Sequence, residues 1–565
     1  MRGHRPTTVR AGIPILILAL TVPAVALAQH HNVHDQRALQ ADPHKATEPI
    51  APVLEGLGDH HHPITTKSER AQLFFDQGLK LTYGFNHQEA LRAFKEAARL
   101  DSDCAMAYWG WALVLGPNLN LPMQTDVVEQ AYEAMQMAVA RKDRGSRKER
   151  DMINALARRY TDDPEAPRAS LDASYAEAMR KLHETYRDDN DIATLYAAAL
   201  MNLSPWNYWT PDGQPRSTTP TILSTLESVF EKDPEHEGAL HYYIHAVEAA
   251  QAARGEAVAD RLSGLAPGAG HLTHMPSHIY MQVGRYDDSL KANIQAAEAD
   301  EGYITQCRSQ GIYPLNYYPH NVHFITWAAI MDGRSTDALA AARKVASKVP
   351  DDLEGNVFSL YQTFLSMPLY TMVRFGMWEA ALKESRPREE APYVLGIWHY
   401  ARGMAYARTK RPMQARVELG ELEAIRDDPE ATAPVGLAGS AKLLQIASGV
   451  LAGEIAAAQG NYDRALRHLG RAVRLEDGLN YTEPPDWYYP VRHTLGAVLL
   501  EAGYADEAEV VYWQDLKKHR DNGYSLYGLW RSLDAQGRKD EAAQIKKKFR
   551  TAWARADIKL TASRF

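Results

Sequence analysis

Chemistry in this sequence would come from histidine. Seven of its 22 histidines fall between residues 241 and 323, in three groups with helical spacing. The first group is His236-Glu237-Gly238-Ala239-Leu240-His241-Tyr242-Tyr243-Ile244-His245-Ala246-Val247-Glu248. Intervals of four, four and three residues put Glu237, His241, His245 and Glu248 on one face of a helix. The second group is His271-Leu272-Thr273-His274-Met275-Pro276-Ser277-His278, with intervals of three and four. Pro276 argues that a helix starts there, which would leave His271 and His274 in the approach turn. His320 and His323 follow directly after Tyr317-Tyr318-Pro319.

Imidazole with carboxylate suits zinc, copper, iron, nickel or manganese, and no cysteine stands nearby for a thiolate zinc site. The metal-ligand candidates are His241, His245, Glu248, His271, His274, His278, His320 and His323. Glu248 and Glu237 are also candidates for a general base acting on bound water, or for orienting a histidine. The pattern HxxxHxxE is not the zinc-protease HExxH, because no glutamate follows His241. The alternative for each pair is a core histidine that caps, stacks or hydrogen-bonds. No Walker loop, dinucleotide glycine fingerprint or GxSxG elbow is present, and Ser277 has no flanking glycine.

The elements that must position these groups read as amphipathic helix pairs. Gly78, the turn Tyr83-Gly84-Phe85-Asn86, and Ala90, Leu91, Phe94 and Ala97 make the clearest unit. The same grammar returns at Gly284-Arg285-Tyr286, Gly333-Arg334, Gly376-Met377-Trp378, Gly460-Asn461-Tyr462, Gly503-Tyr504 and Gly537-Arg538. Gly376 to Lys410 and Gly503 to Gly537 are both 34 residues, the tetratricopeptide (TPR) period. The fold expectation is an all-α, TPR-like solenoid of helical hairpins with loop insertions, its first helices lining a concave face. An Ala-rich bundle is the competing reading. Spacings of 49 (284 to 333) and 43 (333 to 376) require longer helices or insertions in the middle. Residues 117–126, 204–220 and 478–490 read as loops packed on the solenoid, where repeat proteins often place function. Tyr108, Trp109, Trp111 and Trp487-Tyr488-Tyr489 could line a groove or fill the core.

The ends differ from the body. Arg2, Arg5 and Arg10, the apolar run in 12–22 and Ala26-Leu27-Ala28 read as a secretory signal over 1–28, cleaved after Ala28; an uncleaved anchor is the alternative. The mature chain is then expected in the periplasm or outside the cell, and no later stretch is expected to span a membrane. Residues 29–66 hold seven histidines (30, 31, 34, 44, 60, 61 and 62) without an apolar period. They read as a flexible tail that scavenges metal or is merely solvated. Domain expectations are an N-terminal solenoid with the histidine cluster over 67–350 and a C-terminal solenoid over 351–565. Loss of three arginines with the leader makes the chain more acidic than its net −8, which argues against a nucleic-acid partner. Cys104 and Cys307 could pair or remain buried thiols.

Gly84-Phe85-Asn86-His87, Ala105-Met106-Ala107-Tyr108-Trp109-Gly110 and His274-Met275-Pro276-Ser277-His278-Ile279-Tyr280 resemble a bacterial family of exported TPR proteins. The HMPSHIY run followed by Gly284-Arg285-Tyr286 also resembles the eukaryotic tetratricopeptide repeat protein 38 type, and the likeness covers most of residues 69–555. The wider superfamily implies a protein or peptide bound in the concave groove. Two functions stay open: a binding scaffold with a metal site on its concave face, or a metal-dependent hydrolase or oxidase using the cluster over 237–323.

Overall fold

The computed structural model describes residues 34–350, 355–431 and 435–565. The expected leader, its cleavage point and His30 and His31 lie outside these residues. The described chain is all-α, with only two isolated bridges, Asn118 to Leu121 and Trp209 to Pro215. The N-terminal part runs α1 (Gln36–Gln40), α2 (Glu69–Tyr83), α3 (His87–Leu100), α4 (Ala105–Leu115), α5 (Val128–Arg141), α6 (Arg147–Leu156), α7 (Arg168–Thr185), α8 (Asn190–Asn202) and α9 (Thr219–Lys232). The middle runs α10 (Glu237–Gln251), α11 (Glu256–Leu262), α12 (Gly270–His274), α13 (Pro276–Val283), α14 (Tyr286–Cys307), α15 (Tyr318–Asp332) and α16 (Ser335–Ala346). The C-terminal part runs α17 (Gly355–Arg374), α18 (Trp378–Lys383), α19 (Pro392–Arg408), α20 (Pro412–Asp427), α21 (Ser440–Ala458), α22 (Tyr462–Asp477), α23 (Val491–Glu501), α24 (Ala505–Lys518), α25 (Gly523–Ala535) and α26 (Lys539–Ala552).

Consecutive helices pack as antiparallel hairpins, and one packing device recurs. A large side chain on the second helix of a pair enters the space left by glycines on the first helix and on the next pair. Phe94 on α3 lies against Gly78 of α2 and Gly110 of α4; Tyr512 on α24 lies against Gly496 of α23 and Gly528 of α25. Each pair thus completes its neighbour's core, and stacking into a TPR-like solenoid follows. The turn inside most hairpins needs one left-handed residue. Glycine supplies it at 284, 333, 376, 460, 503 and 537, while Phe85 (φ 56°) and Lys410 (φ 61°) supply it with a side chain. The 49-residue spacing comes from the 22 residues of α14 and from a π-helical turn, Tyr313–Tyr317, that leads into α15, and the 43-residue spacing contains the 20 residues of α17.

Three expectations need correction or sharpening. Residues 34–66 are not a free tail. They form a strap whose backbone is answered by polar side chains of α2 and α3. Asp35 N–H donates to Gln88 Oε1 at 2.6 Å, Ile50 N–H to Glu96 Oε2 at 2.8 Å and Leu54 N–H to Gln77 Oε1 at 2.9 Å. Lys95 Nζ donates to the carbonyls of Ala38 and Leu39, and Ile50, Ala51 and Leu57 are buried. A second expectation is sharpened at helix α21, which is long and apolar enough by composition to cross a membrane. It is a core helix here: 67% of the stretch is buried, packed among α19, α20, α22 and α23, and its Glu454 pairs with Arg564 at 2.6 Å. Third, the aromatic candidates Tyr108, Trp109, Trp111 and 487–489 are all buried core, and Cys104 and Cys307 are buried free thiols.

The two largest apolar clusters exchange over residues 281–317, among the histidine-bearing helices. The C-terminal segment returns to this middle region: Asp557 accepts from Ser335 N–H at 2.8 Å, and Arg555 pairs with Asp332 at 2.8 Å.

Glycine packing sets a direct test. Gly110→Ala and Gly528→Ala place a methyl where an aromatic ring already sits and should each lower stability by about 1–3 kcal/mol in urea unfolding. Gly420→Ala, in open space within α20, should raise it by up to about 1 kcal/mol.

Candidate metal centre

Three neighbouring first helices, α10, the α12–α13 run and α15, carry the histidines. Gly238 of α10 lets the Tyr83 ring approach closely. That approach brings the Tyr83 carbonyl to 2.5 Å from His241 Nδ1. Met275 keeps helical torsions (φ −52°, ψ −37°), so α12 and α13 run on through Pro276. His271 and His274 are therefore helical, not in an approach turn as Pro276 suggested, and they share a face with His278. Gly270, at the start of that run, packs directly on the Asp300 carboxylate.

Two groups of three imidazoles result. One ring nitrogen each from His241, His245 and His271 lies within 4.8 Å of the others, and the same holds for His274, His278 and His320. The groups adjoin: ring centroids are 5.9 Å apart for His245 and His278, and 5.8 Å for His271 and His274. An aromatic ring packs on each group. Phe85 lies 4.5 Å from His241 and 5.4 Å from His271, while Phe324 lies 4.7–4.9 Å from His274, His278 and His320. Trp206 and Tyr317 add edge contacts to His245 and His271. All these histidines are buried except His320, which is partly exposed. The array is thus an interior one, where the sequence suggested an open concave face.

An outer set of acceptors fixes which nitrogen faces inward. His241 Nδ1–H donates to the Tyr83 carbonyl, and His274 Nδ1–H to Asn293 Oδ1 at 2.6 Å. Asn293 is oriented because its Nδ2 donates to Ser289 O at 2.7 Å. His278 Nδ1–H lies 2.6 Å from Glu483 Oε2 and 3.0 Å from Glu248 Oε2, and His245 Nδ1 lies 3.3 Å from Glu248 Oε1. Each of these four rings therefore turns Nε2 inward. His241 Nε2, His245 Nε2 and both nitrogens of His271 find no hydrogen-bond partner, and His274 Nε2 faces His278 Nε2 at 2.8 Å. Nδ1 bound to a carbonyl or carboxylate with a free Nε2 is how metal-binding histidines are held.

The charges set five of the six rings apart from His278, which keeps a proton that a metal ion would have to displace. Burial, followed by mutual repulsion, holds His241, His245, His271, His274 and His320 well below the ordinary imidazole range, so they are neutral, the form that ligates. Burial also disfavours charge on His278, but the Glu248 and Glu483 carboxylates outweigh it and bring it up to about 10. Burial raises Glu483.

Two candidates fall elsewhere. His323 points away from the array, its Nε2 3.2 Å from Met367 Sδ and its ring stacked on Tyr488. Burial pushes it down to about 3. Glu237 lies three helical turns from Glu248 and lines a separate cavity with His60 and Asp191. Glu248 is in place, but on the Nδ1 side of the rings. Sequence spacing gave no sign of Glu483, Asn293 or the Tyr83 carbonyl. The one usable signal was the irregular loop 478–490, which does reach the site.

Superposition on known structures adds a fold likeness only. No family model matches this sequence, and no curated protein matches it significantly. The human IFIT1 dimer with m7Gppp-AAAA is similar at 12% identity and a TM-score of 0.29, over 86% of this chain and 91% of that one. The APC/C hetero-tetramer Cut9-Hcn1 gives 12% and 0.27 over 85% and 76%, and Naa15/Naa10 bound to HypK-THB gives 13% and 0.21 over 86% and 74%. Superpositions this loose say nothing about the histidine array.

The loop that delivers Glu483 is anchored by two buried carboxyls. Glu476 accepts from Val491 N–H at 3.1 Å, and Asp486 from Leu437 and Ala438 N–H at 2.9 and 2.8 Å. Burial pushes Glu476 from its ordinary 4.5 up to about 8 and Asp486 from 3.8 up to about 6. Both bind their protons more tightly folded than unfolded. Their stabilising share is complete below their ordinary values and is lost as pH rises through the folded ones. Glu476→Gln should therefore flatten the fall in urea midpoint between about pH 5 and about pH 8; an unchanged fall refutes the anchoring role.

Proposed function

We propose that this chain is a helical-repeat metalloprotein holding two transition-metal ions side by side. One ion sits on His241, His245 and His271, the other on His274, His278 and His320. The observation that carries this reading is the pair of adjoining imidazole groups in which outside acceptors hold Nδ1 of His241, His245, His274 and His278, while His241 Nε2, His245 Nε2 and both nitrogens of His271 are buried without a partner and His274 Nε2 meets only His278 Nε2. Buried lone pairs left unanswered cost about 1–3 kcal/mol each, and a cation answers several at once. Glu248 and Glu483 would act as outer partners that raise imidazole basicity.

Ligation by imidazole alone favours copper or zinc, then iron or nickel, over manganese, magnesium or calcium, which prefer oxygen. Three protein ligands per ion is the number found in catalytic sites, where the remaining position takes water or substrate; structural sites are closed by four. The partly exposed His320 offers an approach to the second ion. We read the centre as catalytic, of the metal-assisted hydrolytic or oxidative class.

The HMPSHIY run behind the resemblance to exported TPR proteins and to the tetratricopeptide repeat protein 38 type contributes His274 and His278, so the likeness falls on the ligands. The signal-like start supports a working place outside the cytoplasm. A peptide-groove role is less favoured in this stretch, because the helix faces over 237–248, 270–281 and 317–332 are almost wholly buried.

Metal analysis by plasma mass spectrometry tests the reading. His245→Ala/His278→Ala, which removes one ligand from each group, should carry two equivalents fewer than the mature parent chain. Protein that stays empty after exposure to zinc, copper, iron, nickel and manganese, or a double variant that keeps both equivalents, sinks it.

A further inference from the structure

A second cluster lies one helical turn from the centre, at the N-terminus of α10. The strap brings His60 and His62 to Asp191 of α8: His60 Nε2 is 2.9 Å from Asp191 Oδ1 and His62 Nδ1 2.6 Å from Oδ2. His236 Nε2 lies 3.3 Å from Oδ1, and the Tyr83 hydroxyl donates to Oδ1 at 2.5 Å. His236 Nδ1 accepts from Ala239 N–H at 3.2 Å, so its other nitrogen is the one turned to Asp191. One donor atom each from His60, Asp191 and His236 lies within 4.8 Å of the others, as do those of His62, Asp189 and Asp191.

The surroundings define the ligand's charge. The cluster lines a cavity of about 420 Å³ shared with Asp59, Asp188, Asp233, Glu235 and Glu237, against Lys148 alone among the lysines and arginines lining it. That excess of carboxylate repels an anion and concentrates cations. His62 and Glu237 are each 3% exposed, yet His62 Nε2 and Glu237 Oε2 find no hydrogen-bond partner. A buried carboxylate oxygen left open is costly unless a cation or proton meets it. Burial accordingly raises Glu237 to about 7.

We propose that His60, Asp191 and His236, with His62 on the other oxygen of the Asp191 carboxylate, form a second site, for a divalent transition-metal cation, separate from the six-imidazole centre. Mixed imidazole and carboxylate donors are those of zinc and its neighbours. On binding, Asp191 exchanges its imidazole donors for the cation, and the strap is fastened to α8 and α10 by metal bonds. The Tyr83 hydroxyl rests on Asp191 while its carbonyl holds His241, so one residue touches both sites.

Zinc titration of the chelator-stripped mature chain, followed by calorimetry and amide hydrogen exchange, tests this. His60→Ala/His62→Ala should lose about one equivalent of zinc, which His245→Ala/His278→Ala keeps. Zinc should slow exchange over residues 57–66 in the parent and not in His60→Ala/His62→Ala. Equal zinc stoichiometry and affinity in parent and His60→Ala/His62→Ala, or no zinc effect on exchange, would overturn the site and leave the imidazoles as hydrogen-bond donors to Asp191. Should that variant unfold, diethyl pyrocarbonate labelling of the parent decides: zinc must protect the peptide holding His60 to His62, and undiminished labelling refutes the proposal.

Discussion

A buried imidazole needs both nitrogens answered, and this fold gathers five of them, with the partly exposed His320 beside them, in one interior. The chain meets part of that demand by itself. A tyrosine carbonyl, an asparagine and two glutamates, drawn from four separate parts of the stack, take the Nδ1 protons of His241, His245, His274 and His278. His241 Nε2, His245 Nε2 and both nitrogens of His271 are left unanswered. Such an arrangement is unfavourable for a chain alone, and the surrounding helix packing has to hold it. The tight Phe94 and Tyr512 contacts against glycine, repeated along the solenoid, give the rigidity that makes this possible.

Departures from regular backbone gather around the same interior. Phe85 and Trp206 are non-glycine residues with positive φ, and their rings pack on His241, His245 and His271. The π-helical turn at 313–317 places Tyr317 against His271. Strained or irregular conformations persist only where the structure around them insists, and they gather at functional sites.

Local spacing made much of this legible. Gly78, Phe94, Gly503 and Gly537 announce helix pairs, and the intervals of 241, 245 and of 271, 274, 278 put rings on shared faces. Three things escaped for physical reasons. Helical periodicity reports angle but not height: Glu237 and Glu248 share a face, yet eleven residues at 1.5 Å each separate them by about 16 Å, too far for one site. His320 and His323 differ by about 60° around α15, enough to send one into the array and the other to Met367. The strap has no period at all, because it is held through its backbone; its mark in the sequence is the polar set Gln77, Gln88, Lys95 and Glu96 at positions that turn out buried.

Glu483 meets His278 across 205 residues of chain. The first repeats can stack as they form, since each needs only its neighbour, but this contact waits for the hairpins up to α22 and the loop beyond. The histidine array is consequently among the last parts of the molecule to reach its final surroundings. Until then His278 lacks the acceptor that sets its ring, and the interior stays open on one side. The same long reach makes the loop a seal: a chain that has closed it has already stacked correctly from α10 onward, so completion of the interior reports completion of the fold.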